Sequence, residues 1–297
     1  MIRWGLCCKF AKEPIRFRVT TAAALRKLPA AARQKKLSGL CAANARALLQ
    51  AVEYCGRAGI GAFRVNSQIF PLKTHPDFGY AAADLPDAVE IQAVLAAVKE
   101  AAARLDVRLS FHPDQFVLLN SPRPEVLRSS LQELEYQAQV SALIGADVIT
   151  LHAGGAYGDK PAALARLRRQ WKRLPLLIRQ RLALENDDRN YTPAEVLPLC
   201  ESEGIPFVYD VHHHRCLPDG LSEEMVTRRA LKTWNREPLF HISSPINGWA
   251  GKHPQWHHDF ITIRDFPACW RGLTITVEVE AKAKEAAVLR LMNQFAC

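Results

Sequence analysis

Six residues of metal-binding type close short β-forming runs: His112 after RLSF, His152 after VITL, Glu185 after LAL, Asp210 after FVY, His241 after LF and Glu280 after VEV. A lone His or Glu at a strand end is usually a hydrogen-bonded structural residue. Packing alone would place Val, Ile, Ala, Ser or Gly there as readily, so six such ends together read as a metal site. Nitrogen and carboxylate donors without thiolates suit zinc, manganese or iron. Glu185, flanked by Asn186 and Asp187, is placed to bridge two ions. His213 in DVHHHR and His258 in QWHHDF lie just beyond the sixth and seventh runs and could complete a third site, although spacing does not choose among neighbouring histidines. Two or three clustered divalent ions suit phosphoryl chemistry, because they can activate water and stabilise charge on both the phosphorus oxygens and the leaving oxygen.

Residues so far apart in sequence converge only if the strands carrying them are parallel neighbours. The candidate strands are Arg3–Leu6, Ala62–Val65, Arg108–Phe111, Asp147–Leu151, Leu182–Leu184, Pro206–Tyr209, Leu239–Phe240 and Thr274–Val279. Helical patterns lie between most of them. Leu37, Leu40, Leu48, Leu49 and Val52 recur at three-to-four-residue spacing, as do Val89, Val94, Leu95 and Val98. Gly59, Gly145 and Gly204 follow such runs where a helix cap calls for a left-handed residue. Eight alternating units predict one α/β domain over residues 1–297, a (β/α)8 TIM barrel with its metal site at the C-terminal ends of the strands. Asn247 to Arg271, without clear period, reads as a long functional loop.

Composition suits a compact protein with a large core: 297 residues, 48% hydrophobic and 23% charged, argue against a fibrous or disordered chain. No apolar run reaches the roughly eighteen residues of a membrane span, and MIRWGLCCKF offers a short strand where a signal peptide needs a longer apolar stretch. A cytoplasmic location, away from membranes, is the expectation. Eight cysteines (Cys7, Cys8, Cys41, Cys55, Cys200, Cys216, Cys269, Cys297) form no C-x-x-C pair and read as reduced, buried thiols, with Cys7 and Cys8 open as site-lining groups. A net charge of +9 favours polyanionic partners.

Several phrases carry a family resemblance: FHPDQFVLLNSP at 111–122, LHAGGAYGDK at 151–160, LALENDD at 182–188, YDVHHH at 209–214 and VEAKAKE at 279–285. In this order, over most of the chain, they resemble the UV damage endonucleases. That resemblance implies a TIM barrel related to apurinic-site endonucleases and xylose-isomerase-like enzymes. It also implies a manganese-dependent cut immediately 5′ to a lesion in damaged double-stranded DNA, leaving a 3′-hydroxyl, with zinc and magnesium as alternative metals and a monomer as the working unit. By the same resemblance His112, His152 and Glu185 hold one ion, Glu185, Asp210, His241 and Glu280 a second, and His213 with His258 a third. Gln115 corresponds to a residue that probes the duplex beside the lesion. Phe116 stands where the family usually has tyrosine and can still wedge between bases. Leu6 and Phe10 replace polar residues of the family, and Leu239 replaces a lysine that can sit beside the metals.

Glu185, Glu280 and Lys160 are the candidate catalytic residues, Lys160 as a phosphate contact beyond the turn GGAYGD. Lys282 and Lys284 could neutralise phosphate at the mouth of the bowl or pair with Glu280 or Glu285. Arg16, Arg18, Arg26, Lys27, Arg33, Lys35 and Lys36 fill the connection after the first strand, where Pro14 and Pro29 suggest an ordered lid; this is a better DNA-binding candidate than RLRRQWKR at 166–173, whose charges fit a solvated outer helix. Fold and ligands alone also allow a small-molecule isomerase or hydrolase. A silent damage-binding module would require the metals to be absent or structural.

Overall fold

Runs of aliphatic, aromatic and β-branched residues form eight strands: β1 (Ile2–Cys7), β2 (Ala62–Val65), β3 (Arg108–Phe111), β4 (Val148–His152), β5 (Leu182–Glu185), β6 (Phe207–Val208), β7 (Leu239–Ile242) and β8 (Ile275–Val279). The helices are α1 (Ala22–Arg26), α2 (Ala30–Arg57), α3 (Ala88–Arg104), α4 (Pro124–Ile144), α5 (Lys160–Arg173), α6 (Leu176–Arg179), α7 (Pro193–Glu203), α8 (Val211–Cys216), α9 (Glu223–Lys232) and α10 (Glu285–Ala296). The structure is a computed structural model describing residues 1–296, so Cys297 lies outside the described residues.

All strand pairs are parallel, in the order β6-β5-β4-β3-β2-β1-β8-β7. The remaining seam is closed by a parallel bridge between Asp210 and His241, where the His241 N–H donates to the Tyr209 carbonyl at 3.0 Å. The expected (β/α)8 barrel is therefore present, and its closure joins two of the proposed ligands. Each expected strand lies where the pattern placed it, although β6 is shorter and β7 runs on through His241.

The apolar face of α2 buries Leu37, Leu48 and Val52 against the barrel; that of α3 is Ile91, Leu95 and Val98, whereas Val89, counted in the sequence period, is exposed. Gly145 and Gly204 end α4 and α7 at φ of 78° and 65°, their N–H groups donating to the Ser141 and Cys200 carbonyls. The main core lies between strands and helices and includes Leu6 and Phe10. Phe10 stacks on Phe63 at 5.8 Å and meets Tyr54 edge-on at 5.3 Å. Both departures from the family's polar residues are thus packed into hydrophobic core.

A second apolar cluster of Val148, Ala183, Val208 and Leu239 plugs the barrel interior. Leu239 sits there two residues below His241, one side-chain layer beneath the site. The basic connection after β1 is only partly a loop: Pro29 precedes α2, and Arg33, Lys35 and Lys36 belong to its first turns. Asn247–Arg271 is more ordered than its lack of period suggests. It holds a Pro245–His257 bridge, two 3-10 turns and the fully buried Trp270. Among the described residues no helix is long and apolar enough to cross a membrane.

Candidate metal centre

The strand ends deliver the six expected residues to one bowl. Two groups of donor atoms lie within 4.8 Å of one another: His112, His152 and Glu185, and Glu185, Asp210 and His213. Glu185 is common to both and fully buried. One of its oxygens lies 2.8 Å from His112 Nε2 and 3.6 Å from His152 Nδ1. The other lies 2.8 Å from His241 Nδ1 and 3.5 Å from His213 Nδ1. Glu280 reaches toward His241 Nδ1 at 3.6 Å.

Asp210 owes its geometry to local sequence. It is the N-cap of α8, and its Oδ1 accepts the His213 backbone N–H at 2.7 Å. Asn186 completes the hold, accepting the Asp210 N–H at 3.0 Å and donating to its carbonyl at 2.9 Å. Asp210 Oδ2 is left buried without a hydrogen-bond partner, as is His152 Nδ1. Orphaned buried polar atoms are costly, and a cluster that leaves a carboxylate oxygen and an imidazole nitrogen unsatisfied fits a divalent cation. The donors, imidazole nitrogen and carboxylate oxygen, match borderline to hard ions.

Electrostatics agree. Burial alone would raise the Glu185 carboxyl, but the rings of His241, His152 and His112 override it and hold Glu185 well below the usual carboxylate range. Burial would likewise lower His241 and His213, yet His241 is raised to about 10 by Glu185, and His213 well above its ordinary value by Asp210 and Glu185. Without ions, protons on these rings balance the carboxylates. His152 is shifted the other way, burial favouring the neutral ring.

Not every expected residue joins the cluster. His258 Nδ1 accepts the Phe260 backbone N–H at 2.9 Å, and it is the adjacent His257 that turns inward, its Nδ1 3.7 Å from Glu280. Antiparallel bridging of Pro245 with His257 fixes which of the two faces the bowl. His212 lies between His213 and His257, its ring centroid 5.2 Å from that of His257, with both nitrogens buried and unpartnered. Lys160 stands outside the cluster: its ammonium donates to Glu195 at 2.8 Å and lies over the Tyr191 ring. Glu195 also forms the capping box of α7, so Lys160 braces that helix start. On α5, Arg168 and Lys172 pair with Glu203, the outer-helix arrangement. Glu285, buried, accepts backbone N–H groups of Ala11, Lys12 and Glu13 at 2.6–3.0 Å and pins the connection after β1.

Gln115 and Phe116 are exposed in the turn after β3, Phe116 by 75%. Gln115 lines a cavity of about 430 Å³ with His152, Gly155, Asp187, Arg189 and His213, so the expected duplex probe opens onto two of the candidate metal ligands. Two residues missed at strand ends sit deeper. Arg64 and Glu278 form a buried ion pair at 2.6 Å, and Arg64 also pairs with Glu280 at 2.6 Å. Cys7, in register with Arg64, is buried beside them, and burial pushes its thiol well up. The alternation of Thr276, Glu278 and Glu280 on β8 and just past it was the available signal for Glu278, since strand residues two apart share a face.

With this geometry in place, similarity to known proteins is specific. The UV-endonuclease UvdE family matches residues 2–297. The chain belongs to that family. A UV DNA damage endonuclease of Deinococcus radiodurans is 37% identical over 306 residues, covering 98% of this chain and 95% of its own. Another, of Bacillus velezensis, is 36% identical over 282 residues, 90% of this chain and 85% of its own. The UvdE fold extends to the crystal structure of SacUVDE, with a TM-score of 0.89 at 26% identity over 100% of this chain and 98% of that one. Endonuclease IV from Thermus thermophilus (TM-score 0.60, 16% identity, 84% and 93% covered) shares the barrel alone.

Proposed function

We propose that this UvdE-family chain, as one barrel domain, is a divalent-metal-dependent endonuclease that hydrolyses the DNA phosphodiester 5′ to a UV lesion. The observation that carries this reading is the cluster around Glu185, complete in a chain that aligns along nearly its whole length with UV DNA damage endonucleases. His112, His152 and Glu185 would hold one ion, and Glu185, Asp210, His241 and Glu280 a second. His213 and His257, on either side of His212, are the candidates for a third, in place of the pair with His258. Divalent ions, manganese first, would supply Lewis-acid stabilisation of charge on the scissile phosphate.

The protein's own residues do the rest. Glu185 and Glu280 present fixed negative charge that defines where the ions sit. Gln115 lines the cavity and the neighbouring Phe116 is exposed beside it, where an aromatic wedge can enter a distorted base step; damaged duplex opens at lower cost than intact duplex. Lys160 is proposed as a rim residue that shapes the phosphate path through Glu195 and α7, with no part in the chemical step. Hydrolysis forms a bond from water oxygen to phosphorus and breaks the bond to O3′, which leaves protonated as the 3′-hydroxyl.

The test is incision of end-labelled duplexes carrying a cyclobutane dimer, a 6-4 photoproduct or an abasic site, with manganese, zinc or magnesium, comparing wild type with Glu185→Gln. Incision 5′ to a photoproduct that the substitution abolishes supports the reading. Duplexes left intact by a protein that binds ions stoichiometrically would instead favour small-molecule chemistry on the same barrel.

A further inference from the structure

His241 is gripped from both sides. Its Nδ1 lies 2.8 Å from Glu185, while its Nε2 lies 3.0 Å from Glu278 Oε2 and 3.1 Å from Arg64 Nη2. An imidazole binds an ion only through an unprotonated nitrogen, so if Nδ1 serves the ion, the ring proton must stay on Nε2. Two groups compete there. A carboxylate accepts that proton, whereas a guanidinium can only donate. Were Arg64 to prevail, Nε2 would become the acceptor, the proton would move to Nδ1, and that nitrogen would be lost as a ligand.

Glu278 resolves the competition in two ways. It faces Nε2 as an acceptor, and it draws Arg64 aside by accepting its Nε–H at 2.6 Å, while Glu280 holds Nη2 at 2.6 Å. The Ser110 hydroxyl donates to the other Glu278 oxygen. The backbone builds this arrangement. On β7 and β8, His241 and Glu278 are register partners. On the opposite side β1 places Gly5 beside Glu278, where a Cβ would fall 3.0 Å from Glu278 Cγ.

We propose that Glu278 is a positioning residue of the metal centre: it keeps His241 in the Nε2–H form and thereby turns Nδ1 toward the second ion. This rests on the metal-centre reading above and adds a residue that lies behind the ligands. Carboxylates or carbonyls that receive the second N–H of a ligating histidine commonly govern metal affinity about 10–100-fold.

The experiment titrates manganese(II) into the full chain by isothermal calorimetry and electron paramagnetic resonance, for wild type, Glu278→Leu and Glu278→Gln. Zinc-loaded, ¹⁵N-histidine-labelled samples report which His241 nitrogen carries the proton. The expected result in wild type includes the two ion sites that share Glu185. In Glu278→Leu one of them weakens about 10–100-fold while the His112–His152–Glu185 site keeps its affinity, and the protonated Nε2 signal of His241 is lost. Glu278→Gln, which preserves shape, should weaken the same site by about tenfold and decides the matter if the leucine variant fails to fold. Both sites within twofold of wild type, with Nε2–H retained, would overturn the positioning role. Absence of ion binding by wild type would instead overturn the metal-centre reading, and this proposal with it.

Discussion

The two ends of the barrel both carry buried or half-buried charge, and they resolve it in opposite ways. At the N-terminal end Arg3, Arg108 and Arg236 meet Glu237, Asp106 and Asp147. Arg108 makes a two-pronged pair with Asp147 at 2.9 and 3.0 Å, and Arg3 binds Glu237 at 2.9 Å and Asp106 at 3.1 Å. Each of these cations has an anion within 3.4 Å, although Arg236 Nε makes no hydrogen bond. At the C-terminal end Arg64 pairs with Glu278 and Glu280, whereas Glu185 and Asp210 are faced by histidines, with Asp210 Oδ2 left unpartnered. The matched end behaves as structure, because paired charges need nothing further. The mismatched end relies on ring protons and is still partly unsatisfied, an arrangement that a divalent cation would complete.

The sharpest way to break this comparison is to neutralise one carboxylate at each end. Asp210→Asn should lower incision about 100–1,000-fold, the scale of losing one electrostatic contact at a reacting phosphate. The metal-free protein should keep its urea midpoint, since like charge is relieved. Asp147→Asn should do the reverse: full incision per folded molecule, with stability lower by about 1–3 kcal/mol, less than for a fully buried pair because Asp147 is 39% exposed. Equal effects at both ends in either assay would remove the distinction.

Manganese at 100 times its dissociation constant should stabilise the fold by about 2.7 kcal/mol per ion, read as a rise in melting temperature that excess chelator reverses. A fold indifferent to manganese would mean that the upper end is balanced by protons alone. Because His241 is raised to about 10 by Glu185 against burial, its ring is charged at neutral pH, and an ion must displace that proton. Affinity should therefore rise with pH toward 10, with about one proton released per second-site ion in calorimetry across buffers of different ionisation enthalpy. The smallest effect belongs to the rim: Phe116→Ala should weaken binding to damaged duplex about tenfold, about 1.4 kcal/mol, with manganese affinity unchanged.

Much of the site was legible because barrel strands end where their side chains become chemical. His112, His152, Glu185, Asp210, His241 and Glu280 each follow a short apolar run, and a parallel barrel carries such ends to one face. His257 was not separable from His258, because their identical side chains in a loop without period are told apart only by the Pro245–His257 bridge. Lys160 looked like a phosphate contact because its partner Glu195 lies 35 residues on, at the start of another helix. Leu6 and Phe10 stand where the family carries polar residues, and both are packed into the core between barrel and helices.

By itself the sequence determined the number and order of β/α units, the ligand types at the strand ends and the basic net charge. These follow from local periodicity and composition. Only the tertiary structure decided the partners: the Asp210–His241 seam, the inward turn of His257, and the grip of Glu278 and Arg64 on His241. Arg64 and Glu278 are 214 residues apart. Alternation along a strand says which face a residue occupies, but strand register, set by packing across the closed barrel, says which distant residue it meets there.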